Sequence, residues 1–183
     1  MAASPLDARG LPGPALIGFM AGAVVMRTAA YREVGGYEPR LFHTADEINQ
    51  AMPDYVVEMV TEALNARQKS VNGAAVLALG VAYKANVGDT RESPALEILA
   101  ELIAKGAKVQ YADPWVPTTP IGDAELKSVE LTDALVAEAD CVLVLADHAA
   151  FDFRRIIGMA RLVVDARNAT FGIDAPPDRV VRL

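Results

Sequence analysis

Ala74-Ala75-Val76-Leu77-Ala78-Leu79, then Gly80-Val81-Ala82-Tyr83-Lys84-Ala85-Asn86-Val87-Gly88-Asp89-Thr90-Arg91-Glu92-Ser93-Pro94, then Ala95-Leu96-Glu97-Ile98-Leu99-Ala100-Glu101-Leu102-Ile103-Ala104 is the stretch that decides the fold. An unbroken apolar run between glycines reads as a strand buried on both faces. Ser93-Pro94 suits the first turn of a helix, where a missing backbone donor does no harm. Ala95–Lys105 reads as that helix, with Gly106 as its stop. The polar loop between them leaves the carboxyl end of a strand, which is where open parallel sheets bind ligands. Two cations, Lys84 and Arg91, stand in that loop with an aromatic, Tyr83, and favour a phosphate-bearing ligand.

Downstream the alternation continues. Lys108–Ala112 reads as a second strand, followed by a proline-rich loop from Asp113 to about Lys127. Thr132–Ala139 reads as a helix capped by Thr132, Cys141–Ala146 as a third strand, and Phe151–Ala160 as a helix that Asp147 can cap. Leu162–Asp165 is a fourth strand, and an irregular tail follows. Apolar strands alternating with helices specify an α/β fold: a Rossmann-like, doubly wound parallel sheet in three α/β/α layers. Its strand ends would gather Tyr83, Lys84 and Arg91, then Asp113, then Asp147 and His148, then Arg167 and Asn168. Several cations in one crevice of an acidic chain favour an anionic ligand.

Upstream, Thr44-Ala45-Asp46-Glu47 has the form of a capping box and predicts a helix start. Ile48, Met52, Tyr55, Val56, Met59, Val60, Ala63 and Leu64 then recur at helical spacing, with Pro53 predicting a kink or a restart. That stripe suits packing on the domain's own core and a subunit interface equally well. Residues 1–43 are rich in Gly and Pro and predict little regular structure, apart from a short strand or buried turn at Ala21–Met26.

The chain has 183 residues, 52% of them apolar and 22% charged, enough for one soluble domain with an appendage. Its formal net charge of -7 argues against general nucleic-acid binding. Cys141 is the single cysteine, so an internal disulfide and a cysteine zinc site are excluded. Residues 15–26 are apolar but too short to span a bilayer, and their flanks do not suit a signal peptide, so the cytoplasm is the expected compartment. No G-x-G-x-x-G and no P-loop occurs. Cys141 lies within an apolar strand and reads as a buried, inert thiol. His148 beside Asp147 reads as a helix-start histidine, with a general base as the alternative.

The order and spacing of these motifs resemble the UDP-glucose/GDP-mannose dehydrogenase family, most of all its branch acting on UDP-N-acetylhexosamines. The resemblance covers residues from about 44 to 183. It is carried by Glu47 to Pro53 with Tyr55-Val56-Val57, by Gly80 to Pro94, and by Tyr111-Ala112-Asp113-Pro114 with Val116-Pro117. Ala139-Asp140-Cys141, Asp147-His148 with Phe151-Asp152, and Leu162 to Asp165 with Arg167-Asn168 complete it. It implies a dimerisation helix over residues 44–70, a homodimer through 47–64, and a UDP-sugar-binding C-terminal domain over 71–183. It further implies Tyr83, Lys84 and Arg167 as UDP-sugar contacts, Lys84 through phosphate, and Arg91 toward the NAD cofactor or the cleft. The family's NAD fingerprint and catalytic cysteine have no counterpart in these residues, so the chain alone is expected to be inactive, with no catalytic residue of its own. Residues 1–43 resemble a piece of family 2 glycosyltransferases, through Gly18-Phe19-Met20-Ala21-Gly22, Val25-Met26-Arg27 and Val34-Gly35-Gly36-Tyr37 to Phe42.

Overall fold

A computed structural model describes residues 39–183 apart from Asp123 and Pro177, with side chains described from Met52 onward. The glycosyltransferase-like segment before Pro39, the strand expected at Ala21–Met26 and the side chains of Thr44 to Glu47 lie outside the described residues. The chain divides into two compact units, Met1–Met52 and Pro53–Leu183. Of the first, the helical backbone from Pro39 is what is described. The second holds the sheet.

Helix α1 spans Pro39–Asn65. It begins at Pro39 and not at Thr44, so Thr44 stands within the helix and not at its start. A proline at the first helical position is preorganised for the turn, which explains the earlier start. No restart occurs at Pro53 either: the helix is continuous across it. Beyond Pro53, Val56, Val57, Val60 and Leu64 are buried within the chain, while Tyr55 is about half exposed.

The sheet is built as the alternation requires. Strand β1 (Ala75–Leu79) leads through α2 (Pro94–Ala104) to β2 (Lys108–Ala112). A hairpin follows, β3 (Thr118–Ile121) and β4 (Ala124–Lys127), then α3 (Asp133–Glu138) and β5 (Cys141–Val144). Helix α4 (Phe153–Met159), β6 (Val163–Asp165) and β7 (Val180–Arg182) complete it. The five parallel strands lie in the order β2-β1-β5-β6-β7, with the β3-β4 pair separate.

β5 and β6 are buried at every position, as a strand covered on both faces must be. Leu77, Leu79, Val142, Val144 and Val163 share one face and pack with Val136 of α3 and Ile156 and Ile157 of α4. Each fully buried Val or Leu contributes about 1.5–3 kcal/mol, so this face is a major source of the domain's stability.

The hairpin and β7 fall where the sequence reads as loop and tail. β3 contains Pro120, which a central strand would not accept but an isolated antiparallel pair can. β7 is short and takes its register from β6 (Val163 with Val180, Asp165 with Arg182), a long-range pairing with no local signature. The cap of α4 also differs from expectation. Asp152, not Asp147, accepts the Arg155 amide at 3.0 Å, because the helix begins at Phe153 and Asp147 lies too far ahead of it. Thr132 does cap α3, accepting from the Leu135 amide at 3.2 Å.

Candidate functional site

Strand register sets the site. Leu79 pairs with Ala112 on one side and Val144 on the other, and Val144 pairs with Asp165, so four strands end level. The chain reverses its direction of growth between β1 and β5, and the crevice outside such a switch point is where α/β sheets bind ligands. Gly80 turns the chain out of β1 at φ +77°, with its amide donating to the Ala112 carbonyl at 2.9 Å.

Below the surface lies a polar node organised by Asp113, whose side chain is wholly inaccessible to solvent. Its Oδ2 accepts from the Val81 amide at 2.8 Å and the Ala82 amide at 3.3 Å. Its Oδ1 accepts from the Trp115 amide at 2.8 Å and the Val116 amide at 3.1 Å. His148 Nε2 lies 3.1 Å from Oδ2. The other ring nitrogen, Nδ1, accepts the Asn86 amide at 2.8 Å. A backbone amide can only donate, so Nδ1 carries a lone pair and the proton sits on Nε2, facing the carboxylate. The pair is therefore a neutral imidazole donating to an anion. With both nitrogens engaged and no solvent access, His148 is no general base, and as a buried residue of the 145–152 turn it is not a helix-start histidine either.

Above the node, Tyr83, Lys84, Val87, Asp89, Arg91 and Glu92 line an open cleft of about 480 Å³. The loop is closed at its neck by the Tyr83 amide donating to the Asp89 carbonyl at 2.8 Å. Lys84 Nζ stands 5.6 Å from the centroid of the Tyr83 ring, within reach of its π face. Arg91 forms a two-pronged pair with Asp89, Nε to Oδ1 at 2.9 Å and Nη2 to Oδ2 at 2.8 Å. Among the described residues Lys84 forms no salt bridge, although its charge also acts on the Asp89 carboxylate.

The Arg91 guanidinium holds the Asp89 carboxyl down at about 2 from an ordinary 3.8. Because the folded value is the lower one, the pair favours the closed loop above about pH 3.8 and the benefit is lost as pH falls through about 2. The group is fully exposed and therefore screened by salt. A carboxyl NMR titration should show Asp89 protonating near pH 2, and Arg91→Ala should raise it toward 3.8 without reaching it, because the residue-91 amide still donates to Oδ1 and Lys84 still attracts the carboxylate.

The fourth strand end is organised separately. Asp165, fully buried, accepts from the Arg167 and Ala169 amides through Oδ1 and from the Thr170 amide and hydroxyl through Oδ2. Arg167 is exposed beyond β6, two strands from β1 and hence about 10 Å across the sheet. The structure thus brings Tyr83, Lys84 and Arg91 to one cleft and leaves Arg167 outside its lining. Asp113, Asn86 and Asp165 carry the scaffolding that the sequence reading did not assign. Cys141 is buried in β5, which pushes its thiol up to about 12 and removes it as a nucleophile.

Residues 77–171, just over half of the chain, match the sequence profile of the UDP-glucose/GDP-mannose dehydrogenase family, UDP binding domain. The chain belongs to the UDP-glucose/GDP-mannose dehydrogenase family. It is 35% identical over 134 residues to an NDP-N-acetyl-D-galactosaminuronic acid dehydrogenase of Ralstonia nicotianae, a match covering 70% of this chain and 30% of that protein. A UDP-N-acetyl-D-mannosamine dehydrogenase of Salmonella typhimurium is 34% identical over 139 residues, 71% of this chain and 32% of the relative. Among solved structures, the UDP-D-ManNAc dehydrogenase of Pyrococcus horikoshii superposes with a TM-score of 0.62 at 25% identity, over 80% of this chain and 33% of that one. The chain therefore spans about a third of the length of the relatives it matches. Residues 1–43 lie outside the profile match. No helix among the described residues is long and apolar enough to cross a membrane.

Proposed function

We propose that this chain is the UDP-sugar-holding part of an NAD-dependent UDP-sugar 6-dehydrogenase. The observation that carries the reading is Lys84, a cation that forms no salt bridge among the described residues, beside Tyr83 in a cleft of the family's UDP-binding domain. In this reading Lys84 meets a phosphate of the nucleotide, and Tyr83 packs against the ligand. Arg91 lies toward the cofactor cleft and must leave Asp89 to act there. Arg167 is a further substrate-side contact, reaching in from the end of β6. The relatives' names support an N-acetylhexosamine as the sugar. A homodimer through residues 47–64 belongs to the same proposal. The burial of Val56, Val60 and Leu64 within the chain leaves Tyr55 as the described residue of that stripe most open to a partner.

Oxidation is a separate matter. Cys141 is inaccessible and its thiol is held protonated, and the sequence has no dinucleotide fingerprint. The 183-residue chain should therefore bind UDP and UDP-N-acetylhexosamine in calorimetry, yet produce no NADH absorbance when given NAD and the same sugar nucleotide. Absence of binding at millimolar UDP would overturn the binding reading, and NADH formation would overturn the inactive one.

A further inference from the structure

We propose that His148 is a positioning residue for the nucleotide-sugar loop: its imidazole, oriented by Asp113, fixes the Asn86 amide and so sets how Tyr83 and Lys84 are presented. The loop from Tyr83 to Asp89 is exposed for most of its length. Its neck is closed by the Tyr83 to Asp89 backbone bond, and its tip is pinned at two points to the turn after β5. The Asn86 amide donates to His148 Nδ1 at 2.8 Å, and Asn86 Oδ1 accepts the Ala149 amide at 2.9 Å. Asn86 adopts φ +61°, a left-handed conformation that asparagine tolerates better than other side-chain-bearing residues.

The ring itself cannot drift. Trp115 lies 4.6 Å from it, centroid to centroid, and Phe151 lies 5.4 Å away. Asp113 holds Nε2, and Gly80 passes so close that a methyl group there would sit 3.0 Å from His148 Cδ2. One buried imidazole thus links the end of β2, the end of β5 and the loop after β1. Asp113 also accepts the Val81 and Ala82 amides, so both ends of the segment carrying Tyr83 and Lys84 are referred to the same carboxylate, one directly and one through the ring. Sub-ångström misplacement of a phosphate-facing cation weakens its ligand, which is why support by a rigid buried shell matters.

Two substitutions separate positioning from simple stability. His148→Leu removes both polar contacts. His148→Asn loses the reach to Asp113 but keeps an amide oxygen where Nδ1 stood, able to accept from Asn86. Binding of UDP to the full chain is read by calorimetry and protection of the Asn86 amide by hydrogen exchange, with far-ultraviolet circular dichroism and a cooperative thermal transition reporting that the fold is intact. His148→Leu should weaken UDP about tenfold and expose the Asn86 amide, the scale of one lost buried hydrogen bond. His148→Asn should stay within about threefold of the parent and keep that amide protected. If His148→Leu does not fold, His148→Gln replaces it, because its amide donor meets Asp113 while the Asn86 acceptor is lost. It should then behave as the leucine variant is expected to.

Equal loss in the asparagine and the acceptor-less variant would overturn the proposal, as would undiminished UDP binding in the latter. The binding arm rests on the nucleotide-sugar reading, the exchange arm does not. If the parent chain takes up no UDP, that reading fails on its own, and an Asn86 amide as protected in the acceptor-less variant as in the parent would overturn the positioning role separately.

Discussion

Asp113→Asn should destabilise the chain by about 3 kcal/mol or more, a large part of the roughly 5–15 kcal/mol that holds a domain folded. The carboxylate is inaccessible and all five groups around it are donors: four backbone amides and the His148 Nε2 proton. An asparagine has one accepting oxygen and an amino group that must then face donors. Turned one way it strands Val81, Ala82 and His148. Turned the other it strands Trp115 and Val116. Even the milder arrangement leaves the buried Val116 amide unsatisfied, at about 1–3 kcal/mol, and the part-buried Trp115 amide at a smaller cost, besides weakening the charge-assisted bonds that remain. Urea denaturation checks it. The midpoint should fall with little change in slope, and a loss under about 1 kcal/mol would mean that water relieves the site.

Gly80→Ala should cost about 3 kcal/mol for a different reason, strain in place of lost bonding. At φ +77° a Cβ costs about 1–2 kcal/mol by itself. That Cβ would also stand 2.5 Å from the Ala146 Cβ and 3.1 Å from its Cα, neither of which can swing aside. Forced displacement in a packed interior adds about 1–3 kcal/mol. Because the strained point joins β1 to the cleft loop, the variant should also lose UDP affinity. Thermal melting and calorimetry read the two effects. Gly158→Ala is the control: it has nothing within 4 Å and sits in α4, where alanine is the better helix former.

The parallel sheet was legible because its evidence is local. Val142, Leu143 and Val144 form an apolar run of strand length, and Ser93-Pro94 before an amphipathic run suits a helix start. Lys84 and Arg91 were legible as cleft residues because strand ends define the binding edge of such a sheet. What stayed hidden depends on pairing across the chain. β7 becomes a strand only by lying along β6, and β3 and β4 form only against each other. Asp113 read only as a polar strand-end residue opening the proline-rich loop, since nothing near it announces amides arriving from Val81 and Ala82 or an imidazole from His148. The Arg91 to Asp89 pair is written two residues apart, yet its consequence is spatial: it occupies the arginine, while Lys84 forms no salt bridge among the described residues.

Lys84 is where the account is most exposed, and the difference between UDP and uridine tests it most directly. Calorimetry on the parent chain and Lys84→Ala should show UDP binding weakened about tenfold by the substitution, the scale of a lost charge-assisted contact of roughly 1.5 kcal/mol. Uridine, which has no phosphate, should bind the two alike. Undiminished UDP binding by Lys84→Ala would contradict the account, and so would equal losses for UDP and uridine.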